Sequence, residues 1–157
     1  MTDNDAIPAF WQGYLDTLPA DHPHQQASYT AWGFGDSPQM ADELGKLVVE
    51  GRKTATASSL HAYQNTDEPA PESSDISIIL DGTETPLCII QTTDIVIRPF
   101  NEVTADFARA EGEGDLSLDY WREAHTAFFT REAEQLNLTF SETMSVVCET
   151  FKVIYTP

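Results

Sequence analysis

Residues 37–59 read SPQMADELGKLVVEGRKTATASS, and they contain a helix start, a helix stop and a strand of small side chains. Ser37 can cap a helix, and Pro38 at its first position gives up no donor that the helix needs. Met40, Leu44, Leu47 and Val48 then recur at helical spacing, and Gly51 after Glu50 is a left-handed stop. Lys53 to Ser59 is rich in Thr, Ala and Ser, which predicts a strand. A helix that feeds a strand directly, in a chain without regular strand–helix alternation, points to α+β rather than a doubly wound parallel sheet.

The flanking segments agree. On the N-terminal side, Phe10, Tyr14, Leu15 and Leu18 predict an amphipathic helix over 7–18, ended by Pro19. Residues 21–29 are polar and read as a loop. Trp32-Gly33-Phe34-Gly35-Asp36 reads as a tight backbone path rather than a regular element. On the C-terminal side, 65–75 is a Pro- and acid-rich loop. Residues 76–80, Asp81-Gly82 and 87–97 predict a hairpin. A short helix over 104–110, a long one from a Ser117 cap to about Leu136, and a last strand over 144–155 complete the chain. Residues 1–157 are expected to form one domain, with the N-terminal helix and loop (1–30) packed on the rest.

Composition excludes several functions. Asp and Glu number 26 against 8 Lys and Arg, a net charge of −18 over 157 residues. Such a surface repels phosphate backbones, so no long nucleic acid is expected as a partner. No apolar run approaches the ~20 residues that span a bilayer, and the first ten residues lack a signal-peptide pattern. Cys88 and Cys148 lie in apolar runs and read as buried, reduced thiols. A cytoplasmic, membrane-free protein is the expectation.

With so few cations, the adjacent pair Arg52-Lys53 stands out. A cation near a helix C-terminus is favoured by about 0.3–1 kcal/mol. That explains Arg52 better than Lys53, whose small neighbours leave room for a ligand. Glu111, Glu113 and Asp115 alternate with glycines. The spacing fails the EF-hand rule, which leaves a solvated turn or a carboxylate facing a pocket beside Lys53. His125 shares an apolar helix face with Leu118, Trp121, Phe128 and Phe129, the usual setting of a hydrogen-bonded core histidine. Arg122 is either a surface cation near Asp119 and Glu123 or a fork for a polar ligand group. No metal-ligand spacing and no phosphate or dinucleotide loop appears, so neither metal nor cofactor is expected.

The runs Trp32–Asp36, Gly51-Arg52-Lys53-Thr54-Ala55-Thr56-Ala57-Ser58 and Ala110-Glu111-Gly112-Glu113-Gly114-Asp115, followed by Trp121-Arg122, together resemble the ASCH domain family. The resemblance spans Trp32 to the last strand. It implies a PUA-like fold, a small, mostly antiparallel β-barrel flanked by helices. It also implies a ligand that is a nucleoside or derived from RNA. A shorter branch of the family hydrolyses N4-acetylcytidine, and its lysine, threonine and glutamate fall on Lys53, Thr56 and Glu111. Arg52, Ser58 and Arg122 then become substrate-binding candidates, although Ser58 stands where the shorter branch has an arginine. Some longer members are described as ribonucleases, so RNA binding or metal-independent RNA cleavage is the alternative.

Amide hydrolysis needs a nucleophile, a proton acceptor and an oxyanion stabiliser. Thr56 can supply the hydroxyl. Lys53 is a base only if its pKa falls from about 10.4, and a close Glu111 would raise it. Burial against its small neighbours and the adjacent Arg52 would lower it, so two arrangements stay open: Lys53 as the base, or Lys53 charged at the oxyanion while Glu111 moves the proton. Residues three apart on a regular strand face opposite sides, so Lys53 and Thr56 share a cleft only if Lys53 precedes the regular part or the strand is bulged.

Overall fold

The computed structural model describes residues 3–157; Met1 and Thr2, part of the 1–157 assignment, lie outside it. The fold is α+β. In chain order the elements are α1 (Asp3–Leu15), β1 (Thr30–Trp32), α2 (Pro38–Val49), β2 (Ala55–Ser59), α3 (Leu60–Gln64), β3 (Ile76–Leu80), β4 (Pro86–Pro99), α4 (Ala105–Glu111), α5 (Leu118–Gln135) and β5 (Ser145–Tyr155). The strands form one sheet in the order β1-β3-β4-β5-β2. The β3–β4 and β2–β5 pairs are antiparallel, and β1 runs parallel to β3. The described chain divides into two compact units: one comprises 3–51, 74–91 and 152–157, the other 52–73 and 92–151.

In the first unit, Trp11, Tyr14 and Leu15 of α1 are buried against Ile76, Ile78, Leu80 and Ile89. The helix starts before Ile7 and runs through Pro8, which forgoes one backbone bond. It stops at Leu15 rather than Leu18. Thr17 N–H bonds Tyr14 O and Leu18 N–H bonds Leu15 O, so the last turn tightens ahead of Pro19. Helix α2 is capped as the sequence predicts: Ser37 Oγ accepts from Met40 N–H at 3.2 Å, and Gly51 follows with φ +79°. Its most buried residues are Ala41, Gly45 and Val48. A Cβ on Gly45 would come within 2.6 Å of Leu87 Cδ1, so small side chains rather than leucines make the closest approach.

In the second unit, Phe100, Val103, Ala108, Trp121, Phe129, Met144, Val146 and Cys148 form the core. Thr104 caps α4 through Phe107 N–H, and Ser117 caps α5 through Tyr120 N–H. Strand β2 pairs Ala55 with Thr150, Thr56 with Glu149 and Ala57 with Cys148. Cys88 and Cys148 are free and buried, and burial pushes their thiols up to about 12 and about 11 respectively.

Candidate functional site

The second unit holds all six predicted site residues, Arg52, Lys53, Thr56, Ser58, Glu111 and Arg122. After Gly51 the chain reaches Arg52, which is exposed, and Lys53, which is 1% exposed. Thr54 anchors this turn to the end of α4: its N–H and Oγ1 both donate to the Ala110 carbonyl, at 2.7 and 3.2 Å. Glu111 is the last residue of α4, and Gly112 then turns left-handed with φ +71°. Only glycine fits there, because a Cβ would strike the Arg52 carbonyl. That reversal lets two glutamates separated by one residue converge on one ammonium. Lys53 Nζ donates to Glu111 Oε1 at 2.9 Å and to Glu113 Oε2 at 2.8 Å.

Helix α5 supplies the other side. The Trp121 indole N–H donates to Glu111 Oε2, and His125 Nε2 lies 3.0 Å from the same oxygen. One helical turn separates Trp121 from His125; their rings stack at 4.2 Å, and His125 Nδ1 is 2.8 Å from the Trp121 carbonyl. A carbonyl can only accept, so Nδ1 carries a proton. Nε2 faces a carboxylate oxygen and must donate as well while Glu111 is ionised. The histidine is therefore held as imidazolium.

The protonation states follow. Burial alone would lower the Lys53 pKa, but the charges of Glu111 and Glu113 outweigh it and raise it. Lys53 stays an ammonium and is no base. Burial would raise Glu111, yet Lys53 and His125 hold it well below the usual carboxylate range. Glu113 moves the other way. Its burial, together with the charge of Glu111, outweighs the pull of Lys53 and raises it. Burial would lower His125, and its bond to Glu111 and that carboxylate's charge raise it instead. A histidine whose pKa rises on folding adds stability that is fully present below its unfolded value of about 6.5 and is lost as pH climbs through the folded value. Unfolding free energy of the native protein is thus expected to fall as pH is raised above about 6.5. The His125→Gln variant should show a flatter profile; an equally steep fall in that variant would show that another group carries it.

Glu111, Glu113 and His125 each place one ligand atom within 4.8 Å of the others. A divalent ion there would compete with the Lys53 ammonium for the same carboxylate oxygens. Of the three acids in the 111–115 run, Asp115 is the one turned to solvent, where it accepts from Ser117 N–H at 2.9 Å.

Lys53 and Glu111 are thus joined directly. Lys53 is sealed by its two acids rather than open to a cleft. Thr56 is half-buried on β2 opposite Glu149, between Ala55 and Ala57, and Ala57 packs on the core. Ser58 Oγ accepts from the Tyr63 hydroxyl at 2.9 Å. Arg122 is exposed. The Trp32–Asp36 run lies in the first unit, where it lines an open cavity of about 380 Å³ with Asp81 and Glu84. Sequence reasoning had Glu113 as one of three undivided acids and His125 as a core residue. His125 is buried and bonded, but its partner is the site carboxylate. The missed signal is the Trp121–His125 pair at helical spacing.

A family model, the ASCH domain, matches residues 30–155. The crystal structure of an ASCH domain from Lactobacillus crispatus JV V101 is 33% identical, covers 96% of this chain and 95% of its own, and superposes with a TM-score of 0.90. A protein of Enterococcus faecalis V583 is 42% identical over 96% of this chain and 88% of its own, with a TM-score of 0.84. No curated protein matches the chain. The match over most of its length, and the agreement in fold with these structures, place the chain in the ASCH domain family, with its PUA-like fold.

Proposed function

We propose that the chain is a cytoplasmic hydrolase of small neutral amides, with an N-acylated nucleoside such as N4-acetylcytidine as its substrate class. The observation that carries this reading is the buried Lys53 ammonium shared by Glu111 and Glu113. Buried ion pairs add little to stability compared with apolar packing, and strongly perturbed titratable clusters concentrate at functional sites. The acidic surface favours a small uncharged ligand over a polyanion. The free buried thiols suit a reducing compartment. Among the described residues, no helix is long and apolar enough to cross a membrane.

In this reading the permanently charged Lys53 faces the oxygen of the scissile carbonyl and stabilises the oxyanion. Glu111 holds Lys53 in place. Glu113, whose side chain is 16% exposed against 1% for Glu111, is the carboxylate that an incoming carbonyl can displace and that exchanges protons. The Thr56 hydroxyl oxygen attacks the acyl carbon and its proton passes to Glu113. The tetrahedral intermediate collapses, the C–N bond breaks, and Glu113 returns the proton to the leaving amine. Water then cleaves the Thr56 ester and releases the acid. Arg52, Ser58 and Arg122 are the candidates for contacts to the rest of the nucleoside.

The test is a mass-spectrometric assay of N-acylated nucleosides alongside an RNA-cleavage assay. Loss of the acyl group from at least one nucleoside, with RNA left intact, is expected. No turnover of any acylated nucleoside, together with RNA cleavage or RNA affinity that falls steeply with salt, would replace this reading with the ribonuclease or RNA-binding one.

A further inference from the structure

Strand β4 outruns its neighbour on one side. Its ladder with β3 ends where Ile76 pairs with Gln91, and Ser73 Oγ then donates to the Thr93 carbonyl at 3.2 Å. Its sheet neighbours among the described residues are β3 and β5, so residues 94–99 have no sheet partner on the β3 side. The opposite edge is occupied. Just past the strand, Phe100 N–H bonds the Met144 carbonyl and Asn101 N–H bonds the Glu142 carbonyl, at 2.8 and 2.9 Å. Val96 and Ile97 are 45% and 54% exposed. Consecutive strand residues point to opposite faces, so both faces of this stretch are bare. A bare apolar edge invites pairing with another chain.

The order of residues along this edge fits one partner. Backbone groups alternate sides along a strand. The Thr93 carbonyl points to the β3 side, so the N–H and C=O groups of Ile95 and Ile97 point to the open edge. Those of Val96 point toward β5, as does the Phe100 N–H. Asp94 and Arg98 lie symmetrically about Val96, and neither joins an ion pair among the described residues. Arg98 is one of only 8 Lys and Arg residues in the chain.

We propose that residues 94–98 of β4 pair antiparallel with the same residues of a second copy, about a twofold axis at Val96. Ile95 then exchanges both backbone hydrogen bonds with the second copy's Ile97, and symmetry repeats the exchange. Val96 meets its own counterpart at the axis, a close non-hydrogen-bonded position. Asp94 falls opposite the second copy's Arg98, and Arg98 opposite its Asp94, on the same face as Val96. The ladder ends itself on both sides. Pro99 has no N–H to offer, and the Thr93 carbonyl is already bonded to Ser73. The contact is isologous, so it closes at a dimer and does not propagate into fibres.

Two copies at −18 each repel, so the dimer is expected at moderate salt, where screening shortens that repulsion to below about 8–10 Å. Sedimentation velocity or light scattering on the full chain is the test, run up to about 200 µM, a range that captures small interfaces. The expected mass is twice 17.4 kDa. Arg98→Asp places like charges opposite each other and should weaken association by at least about tenfold. Asp94→Arg combined with Arg98→Asp reverses both pairs and should restore it. Ile97→Pro, at an exposed edge position that tolerates proline, removes a ladder donor and should leave a monomer. Circular dichroism confirms that each variant is folded. A native chain that stays at 17.4 kDa overturns the proposal. So does a dimer that Arg98→Asp leaves as strong as before, or a charge-reversed double variant that fails to reassociate.

Discussion

Replacing Lys53 with methionine is expected to cost about 3–5 kcal/mol of folding stability near neutral pH, measured by denaturant unfolding. The volume lost is small, so the cost is electrostatic. Glu111 and Glu113 would face each other in the interior without the ammonium that bonds both. The gap between native and variant protein should narrow in acid, where the two glutamates take up protons and no longer need a counter-charge. On the alkaline side the native protein should lose the same contribution. A lysine raised above its ordinary pKa by folding stabilises fully below that value and loses the effect as pH passes the folded one. Adding Glu113→Gln to Lys53→Met removes one of the opposed charges and should recover part of the loss. A Lys53→Met variant within about 1 kcal/mol of the native protein would show that the glutamates are already neutral in the folded state. It would also remove the electrostatic basis assigned to the site.

How far the sequence leads depends on how local each determinant is. Helix α2 is legible because Ser37, Pro38 and Gly51 act within a few residues of the backbone groups they satisfy. The β3–β4 hairpin is legible for the same reason. Strand β1 is not. It has three residues, it abuts a glycine, and its parallel partner β3 lies far along the chain. The short helix α3 begins directly at Ser59, whose hydroxyl donates to Glu132 of α5 at 2.5 Å rather than capping the helix, so nothing nearby announces it. At the site, the scarcity of cations and the small residues after Lys53 single that lysine out. The choice among Glu111, Glu113 and Asp115 cannot be read from spacing, because it is made by the left-handed turn at Gly112 and its fit against the Arg52 carbonyl. The part played by His125 is hidden for a similar reason. A histidine on an apolar helix face looks the same in sequence whether its partner is a backbone carbonyl or a buried carboxylate, and here it has both.

Thr56→Val is expected to lower amide turnover by on the order of 10³-fold or more, while Thr56→Ser keeps most of it. Valine matches threonine in shape and suits a strand, so this half-buried position should fold normally and the loss would report on the hydroxyl. Strand geometry sets the Thr56 hydroxyl apart from the core face of β2. Ala57 packs on the core of its unit, and Thr56 alternates to the other side, across from Glu149. Lys53 lies before the regular strand, in the turn that Thr54 ties to Ala110. The ammonium and the hydroxyl can act on one carbonyl only if that turn swings the Lys53 stem around the start of β2 when Glu113 gives way. Glu113→Gln should then depress turnover by about 10²–10⁴-fold and remove one limb of the pH–rate profile, as loss of a proton carrier does. If Thr56→Val retains turnover within about threefold of native while Glu113→Gln does not, the attacking oxygen is water, deprotonated by Glu113 beside Lys53. The hydroxyl then has no covalent part in the reaction, and the chemistry resides entirely in the ammonium and the two acids that enclose it.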